Sequence, residues 1–163
     1  MLFRSGESLA NELIQRKEKF HSNSVLVACL KNDIPITIHA AIGTDIVHQQ
    51  PTMEGAATGE MSFRDFKIFA NAVKDLKNGG VVLNVGSAVI LPEVFLKALT
   101  VARNLRHKAQ GFTTAVFDMN LHYRPTQNVV LRPTQGNGKG FYFVGHHEIM
   151  IPLLAAMIKT KMK

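Results

Sequence analysis

A single cysteine, Cys29, stands among the 163 residues. One thiol excludes an internal disulfide and fits a reducing compartment. Long apolar runs are also missing: the longest, from Ile149 to Ile158, is too short to cross a bilayer. Met1 to Gly6 leads straight into an amphipathic pattern with no secretory leader, which sets the expectation of a cytoplasmic chain with no membrane partner. Local signature motifs are lacking too. No GxGxxG dinucleotide fingerprint occurs, and no HExxH metal pair. Acids are few, 12 against 19 Lys and Arg, for a formal charge of +7. Such an excess attracts phosphates or acidic partners. Without a nucleic-acid-binding motif or a basic stripe interleaved with aromatics, nucleic acid is not the expected partner.

What is present is a globular composition, 46% hydrophobic and 19% charged, in a chain sized for a single domain over residues 1–163. Ser5 opens an amphipathic helix expected to run to Phe20. Ser24 opens a second over 24–32, followed by a strand at 34–38, Ile-Pro-Ile-Thr-Ile. Residues 40–61 have no sustained period and read as a long binding loop. Ser62 then caps a helix, with Asp65 completing an approximate capping box and Phe63, Phe66, Phe69 and Val73 on its core stripe. Asn78-Gly79-Gly80 ends it.

Val81 to Val85 reads as a strand buried on both faces. Gly86-Ser87 breaks it, and a helix starts near Pro92 with Val94, Phe95, Ala98, Leu99, Ala102 and Leu105 inward. A third strand covers Phe112 to Phe117. The stretch to Gly140 is irregular, a short strand covers Phe141 to Val144, and a final helix holds Pro152 at its start or at a kink. Alternating helices and strands predict an α/β fold, three-layer α/β/α with a mainly parallel sheet.

In such sheets ligands bind beyond the carboxyl ends of the strands. Gly86 and Ser87 sit at that place and offer backbone donors to a phosphate, or serve simply as a tight turn. Gly136 to Gly140 lacks the ending of a phosphate loop and reads as a hairpin tip or flexible loop. The histidines gather at presumed strand ends: His39, then His48 with Asp45 between them, then His122, His146 and His147 beside Glu148. Imidazoles and carboxylates so placed suit acid–base work or a divalent metal, with His39, His48, Asp45 and His146 as the ligand set. Asp45 with Thr44, and Asp118, are placed to hold ribose hydroxyls or substrate amines, or to close turns. Cys29 reads as inert core.

From about Ser24 to Ala115 the order of Lys-Asn-Asp-Ile-Pro-Ile-Thr-Ile, Thr44-Asp45, the helix from Ser62 and Gly-Gly-Val-Val-Leu-Asn-Val-Gly-Ser-Ala-Val-Ile-Leu-Pro resembles the C-terminal half of deoxyhypusine synthase and its bacterial relatives. That resemblance implies an NAD-binding fold outside the ordinary fingerprint, with Gly86, Ser87, Thr44, Asp45 and Thr114 as cofactor contacts. It implies a small-molecule substrate, such as an amine, and a homo-oligomer or a second subunit. The family's imine-forming lysine is not carried over, since Glu93, Val94 and Phe95 follow Leu91-Pro92. The expected chemistry is an NAD-dependent transfer or oxidation in which His48, His146 or His147 moves the proton and Glu93 orients a cationic substrate. A metal-dependent hydrolase or isomerase, and a non-catalytic oligomer-forming binding subunit, are the alternatives.

Overall fold

A computed structural model describes residues 5–77 and 79–162, so Asn78 of the expected helix terminator lies outside the described residues. The chain divides into two compact units, Met1–Phe69 and Ala70–Lys163.

The first unit contains α1 (Ser5–Gln15), α2 (Val25–Lys31) and most of α3 (Gly55–Val73). The unit boundary falls in the last turn of α3. Ala10 and Val27 are the buried apolar contacts of α1 and α2. Helix α1 stops well before Phe20 because Lys17 takes a left-handed φ of 54°. There the Glu18 amide reaches back to the Leu13 carbonyl at 3.2 Å and the Lys17 amide to Ile14 at 3.1 Å, the double closure of a Schellman motif. Helix α2 ends in the same way at Asp33, φ 53°.

The expected strand at 34–38 does not form. Pro35 has no donor, and the Ile38 amide donates to the Asp65 carboxylate at 2.7 Å instead of to a ladder. Asp65 is fully buried and also accepts from the Ser5 amide and hydroxyl, so it ties α1, residue 38 and α3 together. It is therefore not a capping-box residue. Helix α3 starts at Gly55, seven residues before Ser62, because the Glu54 carboxylate accepts the Ala56 and Ala57 amides at 3.0 and 2.5 Å. Phe63, expected in the core, is exposed and lies under the Lys67 ammonium at 4.9 Å. Cys29 is half-buried.

The second unit holds β1 (Val81–Val85), α4 (Ile90–Asn104), β2 (Thr113–Asp118), α5 (Tyr123–Pro125) running into a π-helical turn (Thr126–Leu131), β3 (Lys139–Val144) and α6 (His147–Lys161). The fold is mixed α/β, and the three strands among the described residues are parallel in the order β1-β2-β3. Register places Val82, Thr114 and Gly140 in one row and Asn84, Val116 and Tyr142 in the next, on the same face. That face is buried. The π-helical turn packs on it so closely that a Cβ on Gly140 would clash with the Val130 carbonyl oxygen. Helix α4 contributes Phe95, Ala98, Leu99 and Ala102 to the core, and Phe95 meets Phe112 edge-on at 6.3 Å. Leu105, expected on that stripe, is exposed because α4 closes at Arg106 with φ 66°.

The opposite row corrects the expectation of a strand buried on both faces. Val81, Leu83 and Val85 are 44–59% exposed, and so are Phe141 and Phe143 within the same range. Phe117 stacks on Phe143 at 5.0 Å across this face. The stretch read as irregular before Gly140 is in part helical, since Tyr123–Leu131 forms α5 and its π-helical extension. Pro152 lies inside α6, not at its start, and removes the donor that the Glu148 carbonyl would otherwise receive.

Candidate functional site

The parallel register brings three strand exits to one rim. At the end of β1 the Gly86 amide donates to the Phe117 carbonyl at 2.9 Å, and beyond β3 the Gly145 amide donates to the Asp118 carbonyl at 3.0 Å. Gly86, Asp118 and Gly145 are thereby fixed side by side by backbone bonds. Gly86 has φ +67°, a conformation natural to glycine. A Cβ there would sit 3.3 Å from Nε2 of His147, the first residue of α6. Nδ1 of His147 is buried with no hydrogen-bond partner. His146 is the N-cap residue of α6; its carbonyl accepts the Ile149 and Met150 amides and its side chain is exposed. Ser87 follows the bend. Its carbonyl accepts from the Asn84 side chain at 3.0 Å and its Oγ accepts the Leu91 amide at 3.1 Å, which secures the entry to α4.

Next along the rim, Asp118 is 6% exposed at the carboxyl end of the central strand. Its Oδ1 accepts the Asn120 amide at 3.2 Å and lies 3.5 Å from Nε2 of His122. The intervening loop is clasped by Tyr142, whose hydroxyl donates to the Asn120 carbonyl at 2.7 Å and accepts the His122 amide at 3.1 Å. Glu93, in the first turn of α4, accepts from Lys97 at 2.8 Å and from the Asn128 amide group at 2.8 Å, with Arg124 at 3.5 Å. The Lys97 hydrogen bond, helped by Asn128 and Arg124, holds its carboxyl below the ordinary range. Arg132 in turn donates to Asn128. Glu93 thus spends its charge on neighbours within the protein.

Thr114, named with the cofactor contacts, is fully buried in the register row of Val82 and Gly140, and its hydroxyl has no partner. It lies four residues before Asp118 on the same strand, about 13 Å from the rim at strand spacing. The remaining residues read from sequence belong to the first unit. The Thr44 hydroxyl donates to the Ala41 carbonyl at 2.9 Å, Asp45 accepts the Ala41 amide at 2.6 Å, and Nδ1 of His48 accepts the Gly43 amide at 3.4 Å. These bonds close the 41–48 turn on itself. His39 meets Thr37 at 3.0 Å and packs edge-on against Phe69, and burial lowers its pKa. Among the described residues no group of three or more His, Cys, Asp and Glu side chains is arranged to hold a metal ion. Nor is any described helix long and apolar enough to cross a membrane.

No family model, curated protein or solved structure matches the chain. The rim therefore stands on its own geometry. Asp118 and His122 were visible in the sequence as separate strand-end residues; the carboxylate–imidazole approach across four positions, and the Tyr142 clasp, came only with the fold.

Proposed function

We propose that this chain is a nucleotide-binding α/β protein of deoxyhypusine-synthase-like organisation, taking NAD and a small polar substrate at the rim formed by Gly86, Asp118 and Gly145. The observation that carries this reading is the Gly86 bend. It is a left-handed glycine at the carboxyl end of a parallel strand, where a Cβ would crowd His147 at 3.3 Å and a backbone can approach a phosphate. With its amide bonded to Phe117, Gly86 would contribute only the close approach of a backbone without a side chain, Ser87 would supply the backbone contact to the pyrophosphate, and His147 would form one wall. NAD would supply hydride-accepting chemistry toward a carbon bearing nitrogen or oxygen, and an imidazole on the rim would take the accompanying proton. The oligomeric assembly belongs to the same proposal.

Thermal unfolding with NAD, NADP and divalent metals in parallel tests it. At a hundredfold excess over the dissociation constant, NAD stabilises the native state by about 2.7 kcal/mol. Replacing Gly86 by Val, which must both strain φ and push His147 aside, abolishes that shift. Stabilisation by metals alone would overturn the nucleotide reading in favour of metal-dependent hydrolysis or isomerisation.

A further inference from the structure

We propose that Asp118 and His122 form an acid–base pair at the carboxyl end of β2, in which His122 takes a proton from a hydroxyl or amine of a small polar ligand and Asp118 positions it. The proposal rests on the reading that ligands occupy this rim, and it gives the proton-transfer role to an imidazole other than His147.

Three observations select His122. The first is charge. Asp118 is a carboxylate with a side chain only 9% exposed, and among the described residues the one basic group within 4 Å of it is the His122 ring. A nearly buried carboxylate with one amide donor has unused acceptor capacity, and the imidazole facing it can donate to it. The second is orientation. With Nε2 turned toward Asp118 at 3.5 Å, Nδ1 is the nitrogen left to a ligand, and it makes no hydrogen bond among the described residues. Such contacts are commonly long before ligand binds and tighten as charge develops. The third is rigidity. Tyr142 grips the 120–122 backbone through one hydroxyl that donates and accepts at once, and the His122 carbonyl accepts from the Thr126 hydroxyl at 2.7 Å. The imidazole is thus mounted on a loop pinned to β3 through Tyr142.

His147 lacks these features. Its Nδ1 is buried and its Nε2 faces Gly86, so neither nitrogen has a carboxylate to support a positive charge. In the proposed step the ligand O–H or N–H bond breaks and its proton goes to Nδ1 of His122. The resulting imidazolium is held by Asp118, and the proton later returns to product or solvent. No oxidant or reductant enters this step.

The test is site-resolved carbethoxylation with diethyl pyrocarbonate at pH 8, where an ordinary imidazole is neutral, read by peptide mass spectrometry on the full chain. His107, on an exposed turn after α4, is the internal reference. His122 is expected to react several-fold faster than His107 although its side chain is only 38% exposed. Asp118→Asn should bring His122 down to the reference rate. Tyr142→Phe, which leaves Asp118 in place, should slow it as well and serves if the first variant fails to fold. Equal rates for the two histidines in the unaltered chain, or an unchanged His122 rate in either folded variant, would overturn the pair. Protection of His122 by NAD would support its place on the nucleotide rim. Fast but unprotected His122 would count against NAD while leaving the pair intact, so the two readings fail separately.

Discussion

The two units use polar residues in opposite ways. In the first, nearly every polar group singled out by sequence closes the chain on itself: Thr44, Asp45 and His48 bond within one turn, and Asp65 is consumed by Ser5 and Ile38. In the second, the ladder consumes the backbone donors, and side chains at the strand ends are left facing one another. A parallel sheet brings residues distant in sequence to one rim without using their side chains to do it. Polar residues in a unit without a described strand must do the tying themselves. Chemistry is therefore expected at the rim that register assembles, where side chains such as Tyr142 and Ser87 add local ties.

The sharpest break in that contrast is at Asp65. Asp65→Ala leaves the buried Ser5 and half-buried Ile38 donors without an acceptor and should cost about 3 kcal/mol, seen in denaturant unfolding with early loss of amide protection at Ile38. In the second unit the comparable weak point is backbone contact. Gly140→Ala drives a methyl into the Val130 carbonyl and should cost roughly 2 kcal/mol, with exchange protection lost along β3. A third substitution runs the other way. Lys17→Gly relieves a left-handed residue at the end of α1 and should stabilise by about 0.5–1 kcal/mol; no gain would mean that the Schellman closure is not populated.

Two smaller effects concern pH. Burial depresses the His39 pKa in the folded state, so the unfolded chain binds its proton more readily. Stability is then full above about pH 6.5 and declines as pH falls from there through the lower folded value. His39→Phe, which keeps the ring against Phe69, should flatten that slope. Glu93 has the same sign in a more acidic window, because its carboxyl is held down by Lys97, Asn128 and Arg124. Its contribution is present above its ordinary range and lost as pH falls through the folded value, and Glu93→Gln should remove only this small acid-side dependence.

Much of the second unit was legible in the sequence. The runs Val81–Val85 and Phe112–Phe117 foretell β1 and β2 to within a residue, because continuous apolar β-branched stretches bounded by glycine have few other uses. The parallel order followed from the helix between them. Helix ends were less visible: α1, α2 and α4 stop at Lys17, Asp33 and Arg106, which take the left-handed role that glycine usually announces. The strand expected at 34–38 failed because period and propensity say nothing about whether a partner strand exists. Exposure of Val81, Leu83 and Val85 was hidden for the same reason, since an apolar run does not say which of its faces is covered. Of the candidate site, the Gly86 bend could be read directly. The internal neutralisation of Glu93 could not, because Asn128 and Arg124 reach it from a helical segment that looked irregular.

The most direct test of the rim is backbone amide NMR during titration with NAD. The account predicts that the largest shift changes fall together on Gly86, Ser87, Asp118 and Gly145, with His122 and His147 close behind. Changes centred on Gly43 to His48, or none at saturating NAD, would contradict it.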